Sequence, residues 1–456
     1  MPLNKLYQSL RGPGGIKPMM EIAFPLMVAT STEAMLMFID RLYLKQISPE
    51  AMNACLSGGF TSLAFIAFFI GIISFSTALV AQFFGAGEYE KCPKVLTQSV
   101  IFTCLSIPIV LTLIPVGRWV LATVGLSGEE VVQAQTYLTI LMAGTGLDLF
   151  RNSFNSYFGG LGKTRVVLLS TFVMAIANIG ANYVLIFGKL GFPALGIEGA
   201  GYGTVFAWFT GVVTLCVVYF KQIQLPEYQL LQSFQLDLGI LKKLVRFGFA
   251  TGLELALLIF ALDLTILAFQ SYGVSVSTAM TVVFTWIQTL FIPVIGLEIG
   301  TMSLVGRFVG ARDPDSASDS VFSGLFLASG YALIVSLAFL LATDAMLGIF
   351  LEPSISAEIW DLATWGTQLN AFILFIIAWS TILIGALRGA GDTYGVMTIS
   401  ATFWWFQYAL VIVLIHQFEL PPTIVFGIHI FSSPLLLFAM IGRFRSGGWR
   451  KLELTG

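Results

Sequence analysis

Apolar residues fall along this chain in long blocks separated by short polar turns, and twelve blocks approach the ~20 residues that a helix needs to cross the hydrocarbon core of a bilayer. They are centred near residues 31, 69, 105, 143, 176, 208, 255, 292, 332, 372, 405 and 433. The pattern predicts an all-α integral membrane protein with twelve transmembrane helices. Composition agrees with it: 57% of the residues are hydrophobic and 11% charged, and the mean hydropathy is +0.89, whereas a soluble domain carries roughly 25% charged residues.

The blocks form two similar halves. GIISFSTALVAQFFGAGEYEK at 71–91 aligns without a gap to GLEIGTMSLVGRFVGARDPDS at 296–316, an offset of 225 residues that keeps Gly71/Gly296, Leu79/Leu304, Val80/Val305, Phe83/Phe308, Gly85/Gly310 and Ala86/Ala311 identical. A second register matches GGLGKTRVV at 159–167 to RGAGDTYGV at 388–396. Each half supplies six blocks, and six is even, so both halves enter the membrane from the same side. The expectation is two parallel six-helix lobes related by a pseudo-twofold axis along the membrane normal, the usual plan of a secondary transporter with its site between repeats. The expected division is an N-terminal lobe over 1–222, a cytoplasmic linker over 223–243 and a C-terminal lobe over 244–456. The linker KQIQLPEYQLLQSFQLDLGILKK reads as a tethering loop, with an interfacial amphipathic helix as the alternative.

Basic residues orient the chain. With a cytoplasmic N-terminus, nineteen of the 23 lysines and arginines lie inside, Arg151, Arg307 and Arg388 among them, and only Arg41, Lys45, Arg118 and Lys189 lie outside or deep in a span. Both termini are then cytoplasmic. The opening MPLNKLYQSLRGPGGIKP has no short apolar core with a cleavage site and reads as a retained arm. Cys55, Cys92, Cys104 and Cys216 are scattered without metal-ligand spacing, so four free thiols are expected.

Several function classes drop out. GLGKT at 160–164 lacks the first glycine of a phosphate-binding loop, because position 157 is Tyr157, and Asp392 replaces Lys163 in the other half; it reads as a tight turn, and nothing points to an ATP-driven pump. His416 and His429 are the only histidines, and no HExxH or GxSxG motif occurs, so no enzyme chemistry is indicated. Nothing suggests a cofactor or nucleic-acid binding.

Acids inside the spans remain: Glu33 and Asp40 in the first, Asp148 in the fourth, Glu254 and Asp263 in the seventh, Glu298 in the eighth. A charge at the bilayer centre costs about 2.5–3.5 kcal/mol on insertion scales, so such residues mark proton or ion routes. Glu33 and Asp40 are seven residues apart and share one helical face. Asp263 lies within two residues of the repeat offset from Asp40, so the two occupy corresponding levels. Asp148 and Arg151 are three apart on one helix, and their mutual neutralisation is expected. Arg41 follows Asp40, but neighbouring helical residues point about 100° apart. Asn178 and Asn182 in the fifth span share a face and suit either cation coordination or helix packing. Trp208, Trp286, Trp379, Trp404 and Trp405 are open to cavity, packing and interface roles.

With these residues in view, the chain resembles the multidrug and toxic compound extrusion (MATE) family over about residues 15–445. The likeness rests on FPLMV and FID of the first span, LVAQFFGAGEYEK and its second copy, NIGANYVLIFGKLGFPALGIEGAGYGT, and ALRGAGDTYG. It implies two six-helix lobes around a cavity open to one side at a time, expelling cationic or amphiphilic organic compounds against sodium or protons. The family's essential first-span aspartate falls on Asp40, its fifth-span asparagine on Asn178, its sixth-span threonine on Thr204, and a seventh-span glutamate of many members on Glu254. Two departures stand out. The second fifth-span position, an aspartate in sodium-binding members, is Asn182, and the usual Asp-Thr of the first span is Asp40-Arg41.

The reading at this stage is a monomeric exporter of the bacterial inner membrane, an antiporter of organic cations or amphiphiles. The coupling site is Asp40, Asn178, Asn182 and Thr204, a further substrate or proton site is Glu254, Asp263 and Glu298, and Glu33 is an additional acid. One carboxylate with two neutral amides points to protons, with sodium at Asp40, Asn178 and Asn182 as the alternative. A flippase for a lipid-linked precursor is the second transporter reading, disfavoured by the deep acids. A passive channel or structural membrane protein is the reading from another class.

Overall fold

The computed structural model describes residues 12–123, 128–222, 225–351 and 355–452. The described residues form helices and turns, without strands. The long helices are α1 (Ile16–Lys45), α2 (Pro49–Ser74, continued as Ser76–Gly85 after a break at Phe75), α3 (Lys91–Thr123), α4 (Gly128–Gly160), α5 (Thr164–Phe187), α6 (Ile197–Lys221), α7 (Leu238–Gln270), α8 (Val274–Gly310), α9 (Pro314–Leu341), α10 (Ala357–Ala390), α11 (Thr393–His416) and α12 (Pro422–Ser432, continued as Pro434–Arg445). Eleven are long and apolar enough to span a membrane. The twelfth long helix, α4, is the polar exception, because it carries Asp148, Arg151 and several amides and hydroxyls towards its neighbours.

The linker expectation needs a correction at its end. Asp237 caps α7, its carboxylate accepting from the Ile240 amide at 3.0 Å, so 238–243 are already helical. A carboxylate there satisfies an amide that has no partner within the helix. Before it, the connection folds as two short 3-10 turns, Pro226–Tyr228 and Leu230–Ser233, not as an interfacial helix. It is held to the N-terminal half by Gln98, whose amide donates to the Gln235 carbonyl at 2.9 Å and whose Oε1 accepts from the Asp237 amide at 3.1 Å. Lys5 and Arg11, together with residues 124–127, 223–224, 352–354 and 453–456, lie outside the described residues.

The repeat is visible in the turns. In four of them a residue with positive φ ends a helix: Gly87 (79°), Gly162 (71°), Gly391 (98°) and Arg312 (57°). In each the next residue's amide returns to a carbonyl five residues back, at 2.9 Å in Glu88 to Phe83, Lys163 to Phe158, Asp313 to Phe308 and Asp392 to Leu387. This is the bonding of a left-handed helix stop. GLGKT is thus a helix-to-helix turn. At Arg312, the repeat partner of Gly87, a side chain occupies a conformation that glycine adopts without cost.

Within each half the packing is the same: α1 against α5 and α7 against α11, α2 against α4 and α8 against α10. Between halves, α1 packs on α8 and α2 on α7, a pairing that maps onto itself when the halves are exchanged. The conserved pairs of the repeat sit on this seam. A Cβ on Gly71 would strike the backbone at Thr251 and Gly252, and one on Gly296 the backbone at Leu26 and Met27. Those targets are themselves 225 residues apart. Likewise a Cβ on Gly85 would meet Arg307, and one on Gly310 would meet Gln82. The duplicated glycines are therefore places where backbones of opposite halves touch about the pseudo-twofold.

Candidate functional site

A cavity of about 230 Å³ opens inside the N-terminal lobe, walled by α1, α2, α4, α5 and α6. Its α1 wall contributes Glu33, Asp40 and Arg41, which places both acids on the cavity side, as their seven-residue spacing requires. Asp40 is 6% exposed. Its Oδ1 accepts from the Asn182 side-chain nitrogen at 2.6 Å, and that nitrogen also lies 3.4 Å from the Asn178 Oδ1. Asn178 and Asn182 are four apart on α5, which stacks their amides on one face. Thr204 of α6 lines the same cavity, its hydroxyl turned back to the Ala200 carbonyl at 2.9 Å. All four members of the expected coupling site are brought together.

About two turns along α1, Glu33 meets a second cluster. Arg151 bonds the Glu33 carboxylate at 2.6 Å and Asp148 at 2.8 Å, and its Nε adds a bond to Asp148 at 3.1 Å. Asn152 donates to the other Asp148 oxygen at 3.2 Å. The Asp148–Arg151 neutralisation is present, and Glu33 joins it. Arg151 is 7% exposed, so it is a buried ion-pair residue rather than a cytoplasmic loop charge, correcting its place in the orientation count.

The C-terminal lobe has its own cluster. Arg388 near the end of α10 bonds Glu298 of α8 at 2.7 Å and Glu254 of α7 at 2.8 Å. Here too an arginine counted as a loop charge lies, half-buried, against two acids. The expected grouping of Glu254, Asp263 and Glu298 is realised in two of its three members. Asp263 lies nine residues beyond Glu254, ~13 Å along α7 at 1.5 Å per residue, and among the described residues it makes no hydrogen bond or ion pair. Of the tryptophans only Trp208 borders the cavity; the Trp286 indole bonds the Met346 carbonyl and that of Trp379 the Ser329 hydroxyl. Among the described residues no cluster of three metal-ligating side chains occurs, and all four cysteines are free.

The organising roles of Arg151 and Arg388 were not read from the sequence, nor was Tyr137 of α4, a buried cavity wall beside Cys55. A signal existed for the arginines: each sits on the fourth helix of its half, in the half where unpaired acids were counted.

Known proteins frame this geometry. The probable multidrug resistance protein NorM of Thermotoga maritima is 25% identical, covering 95% of this chain and 93% of its own. An uncharacterized transporter, YisQ, of Bacillus subtilis is also 25% identical over 90% of this chain and 87% of its own. Among solved structures, one described as MATE in the straight conformation superposes with a TM-score of 0.86 at 20% identity, covering 97% of this chain and 98% of that one. A MOP superfamily transporter from Pyrococcus furiosus, described as having a binding pocket of reverse polarity, gives 0.85 at 20% identity with the same coverage. The fold is the twelve-helix, two-lobe fold. The MatE family model matches residues 25–184 and 250–413, well over half of the chain; this protein belongs to the MatE family of membrane transporters and is not an enzyme.

Proposed function

We propose that this protein is a secondary active multidrug exporter, a monomer of the bacterial inner membrane with both termini in the cytoplasm, which antiports organic cations or amphiphilic molecules against protons by alternating access. The observation that carries the reading is Asp40. Glu33, Asp148, Glu254 and Glu298 each hold an arginine, whereas the hydrogen bond recorded for Asp40 comes from a neutral amide. Asp40 is thus the cavity acid whose charge can be cancelled by a proton without breaking an ion pair. Sodium asks for several oxygen ligands, and the Asn182 amide presents its nitrogen to the carboxylate rather than its oxygen to a cation. Both points support proton coupling.

Alternating access is supported by where the halves touch. Beyond the glycine contacts, Gln82 donates to the Gly389 carbonyl at 2.9 Å and Ser303 to the Gly159 carbonyl at 2.7 Å. The Arg307 guanidinium donates to the Leu161 carbonyl at 3.0 Å and lies 4.6 Å from the Phe84 ring centre. These contacts cluster at one end of the molecule, the end we assign to the cytoplasm, and parting them opens the cavity to that side. A phosphate-bearing lipid precursor fits less well, because three acids against two arginines border the cavity.

The test is efflux of a cationic dye from proteoliposomes with proton and sodium gradients imposed separately. A proton gradient should drive it and Asp40→Asn should stop it. Efflux driven by sodium alone would overturn the coupling assignment, and dye movement without either gradient would point to a passive pore.

A further inference from the structure

The connection between the lobes turns apolar side chains outwards. Tyr228, Leu230 and Ser233 are buried against the N-terminal half, whereas Leu231, Phe234 and Leu236 are 71%, 51% and 59% exposed. In water these three would form an apolar patch of the kind that marks a binding surface.

The position of the patch identifies what covers it. The Phe234 ring stacks on Phe220, with ring centres 6.5 Å apart and planes 24° apart. Phe220 stands in the last turn of α6, and with Val213 and Val217 it forms an exposed apolar stripe at helical spacing. That stripe belongs to a membrane span, so Phe234 sits at the level where the span leaves the bilayer. The other end of the connection is alike: Leu238, Val245 and Phe249 are exposed along one face of α7, which is also a span. Basic residues rim the same level. Lys221 ends the α6 stripe and shares a shallow surface groove with Val217 and Phe220, while Lys242 and Arg246 are exposed at the start of α7. The acids between them are Glu227 and Asp237; the first lies near Lys163 and the second caps α7.

We propose that the connection is a membrane-surface anchor for anionic phospholipid: Leu231, Phe234 and Leu236 enter the boundary between headgroups and acyl chains, and Lys221, Lys242 and Arg246 hold the phosphates. Apolar and aromatic side chains beside lysines and arginines are the pattern of segments that lie in the bilayer interface, and the basic members draw anionic lipid to them. A second copy of the chain is the weaker occupant, because two such faces would bring like-charged rims together. Gln98 of α3 fastens the connection to the N-terminal half, so the anchor fixes the depth of that lobe. The proposal concerns a surface outside the transport site and is independent of what the protein exports.

The test places the photocrosslinking residue benzoylphenylalanine at Leu231, at Phe234 or, for comparison, at Glu227, in the full-length protein. Each protein is set in nanodiscs of equal parts phosphatidylcholine and phosphatidylglycerol and irradiated, and its adducts are weighed by intact mass spectrometry. Positions 231 and 234 should give lipid adducts and position 227 far fewer. Phosphatidylglycerol adducts should exceed phosphatidylcholine adducts about fivefold, the enrichment expected of one basic contact. Combining Lys221→Gln, Lys242→Gln and Arg246→Gln should bring the two lipids to parity while the total of lipid adducts at 234 stays within twofold, which also shows that the variant keeps its place in the bilayer. Absence of lipid adducts at 231 and 234, equal yields at 227, adducts to a second protein chain instead of lipid, or equal use of the two lipids by the unsubstituted protein would each overturn the inference. So would a phosphatidylglycerol preference that survives the three substitutions.

Discussion

Two arginine clusters, one per lobe, differ in what surrounds them. In the N-terminal lobe Arg151 and its acids border a cavity, and the Glu33 side chain is 38% exposed. In the C-terminal lobe Arg388 holds Glu254 and Glu298, whose side chains are 5% and 12% exposed. Each cluster carries two carboxylates for one guanidinium, but only the N-terminal one has a further acid within the same cavity, and that acid is Asp40. The lesson concerns duplication. The two halves retained the glycines through which they touch, because a change on one side of that contact disturbs both, whereas the polar interior was free to diverge.

The sharpest way to break the comparison is to treat Asp40 and Asp263 alike. Asp40→Asn keeps shape and removes the titratable group, so proton-driven efflux should vanish, while Asp263→Asn, lacking any polar partner among the described residues, should retain efflux within twofold of wild type. If the two variants behaved equally, the asymmetry of the lobes would not be functional.

Next in size is the asymmetry inside a cluster. Arg388→Gln leaves two carboxylates facing each other in a buried place, and breaking such a pair typically costs about 3–5 kcal/mol; Glu298→Gln leaves one balanced pair and should cost less than about 1 kcal/mol. Arg388→Lys should recover little, since one ammonium cannot reach both acids as the fork does. Thermal unfolding in detergent reads these differences, and equal losses from Arg388→Gln and Glu298→Gln would contradict the geometry.

The seam is tested by Gly85→Val and Gly310→Val. A side chain at either position collides with the facing backbone, so both should deplete the closed arrangement, and by similar amounts because the contacts are pseudo-symmetric. Spin labels at residues 90 and 315 report the separation of the two lobes. An unchanged distance distribution in both variants, or a shift in only one, would count against the shared seam.

The smallest effect lies in the turns. Arg312 holds a left-handed conformation that glycine occupies at its repeat position, so Arg312→Gly should stabilise by about 1 kcal/mol and Gly87→Ala should destabilise by about the same. Unfolding midpoints of the two variants should move in opposite directions; movement in the same direction would refute the account.

Much of this architecture was readable in advance. Segment length and apolarity place helices in a bilayer regardless of their neighbours, because each span satisfies its own backbone hydrogen bonds. The repeat offset likewise revealed two halves, and the seven-residue and four-residue spacings put Glu33 with Asp40 and Asn178 with Asn182 on common faces. The reading went astray where a charge's position depended on another helix. Arg151 and Arg388 have loop-like neighbours in sequence, and only the tertiary structure, in which Arg151 reaches Glu33 of α1 and Arg388 reaches Glu254 of α7 and Glu298 of α8, shows them as partners of acids. The helix start at Leu238 depended on a cap that spacing alone did not single out.

By itself, then, the sequence determined the membrane class, the number of spans, the duplication and the candidate acids, since all of these follow from local composition and periodicity. Tertiary structure decided which acids are neutralised, which asparagine nitrogen faces Asp40, and that Asp263 stands apart from Glu254. Those outcomes depend on distances of a few ångströms between helices far apart in the chain, and the strength of an ion pair or hydrogen bond is set by that distance and by the water excluded around it.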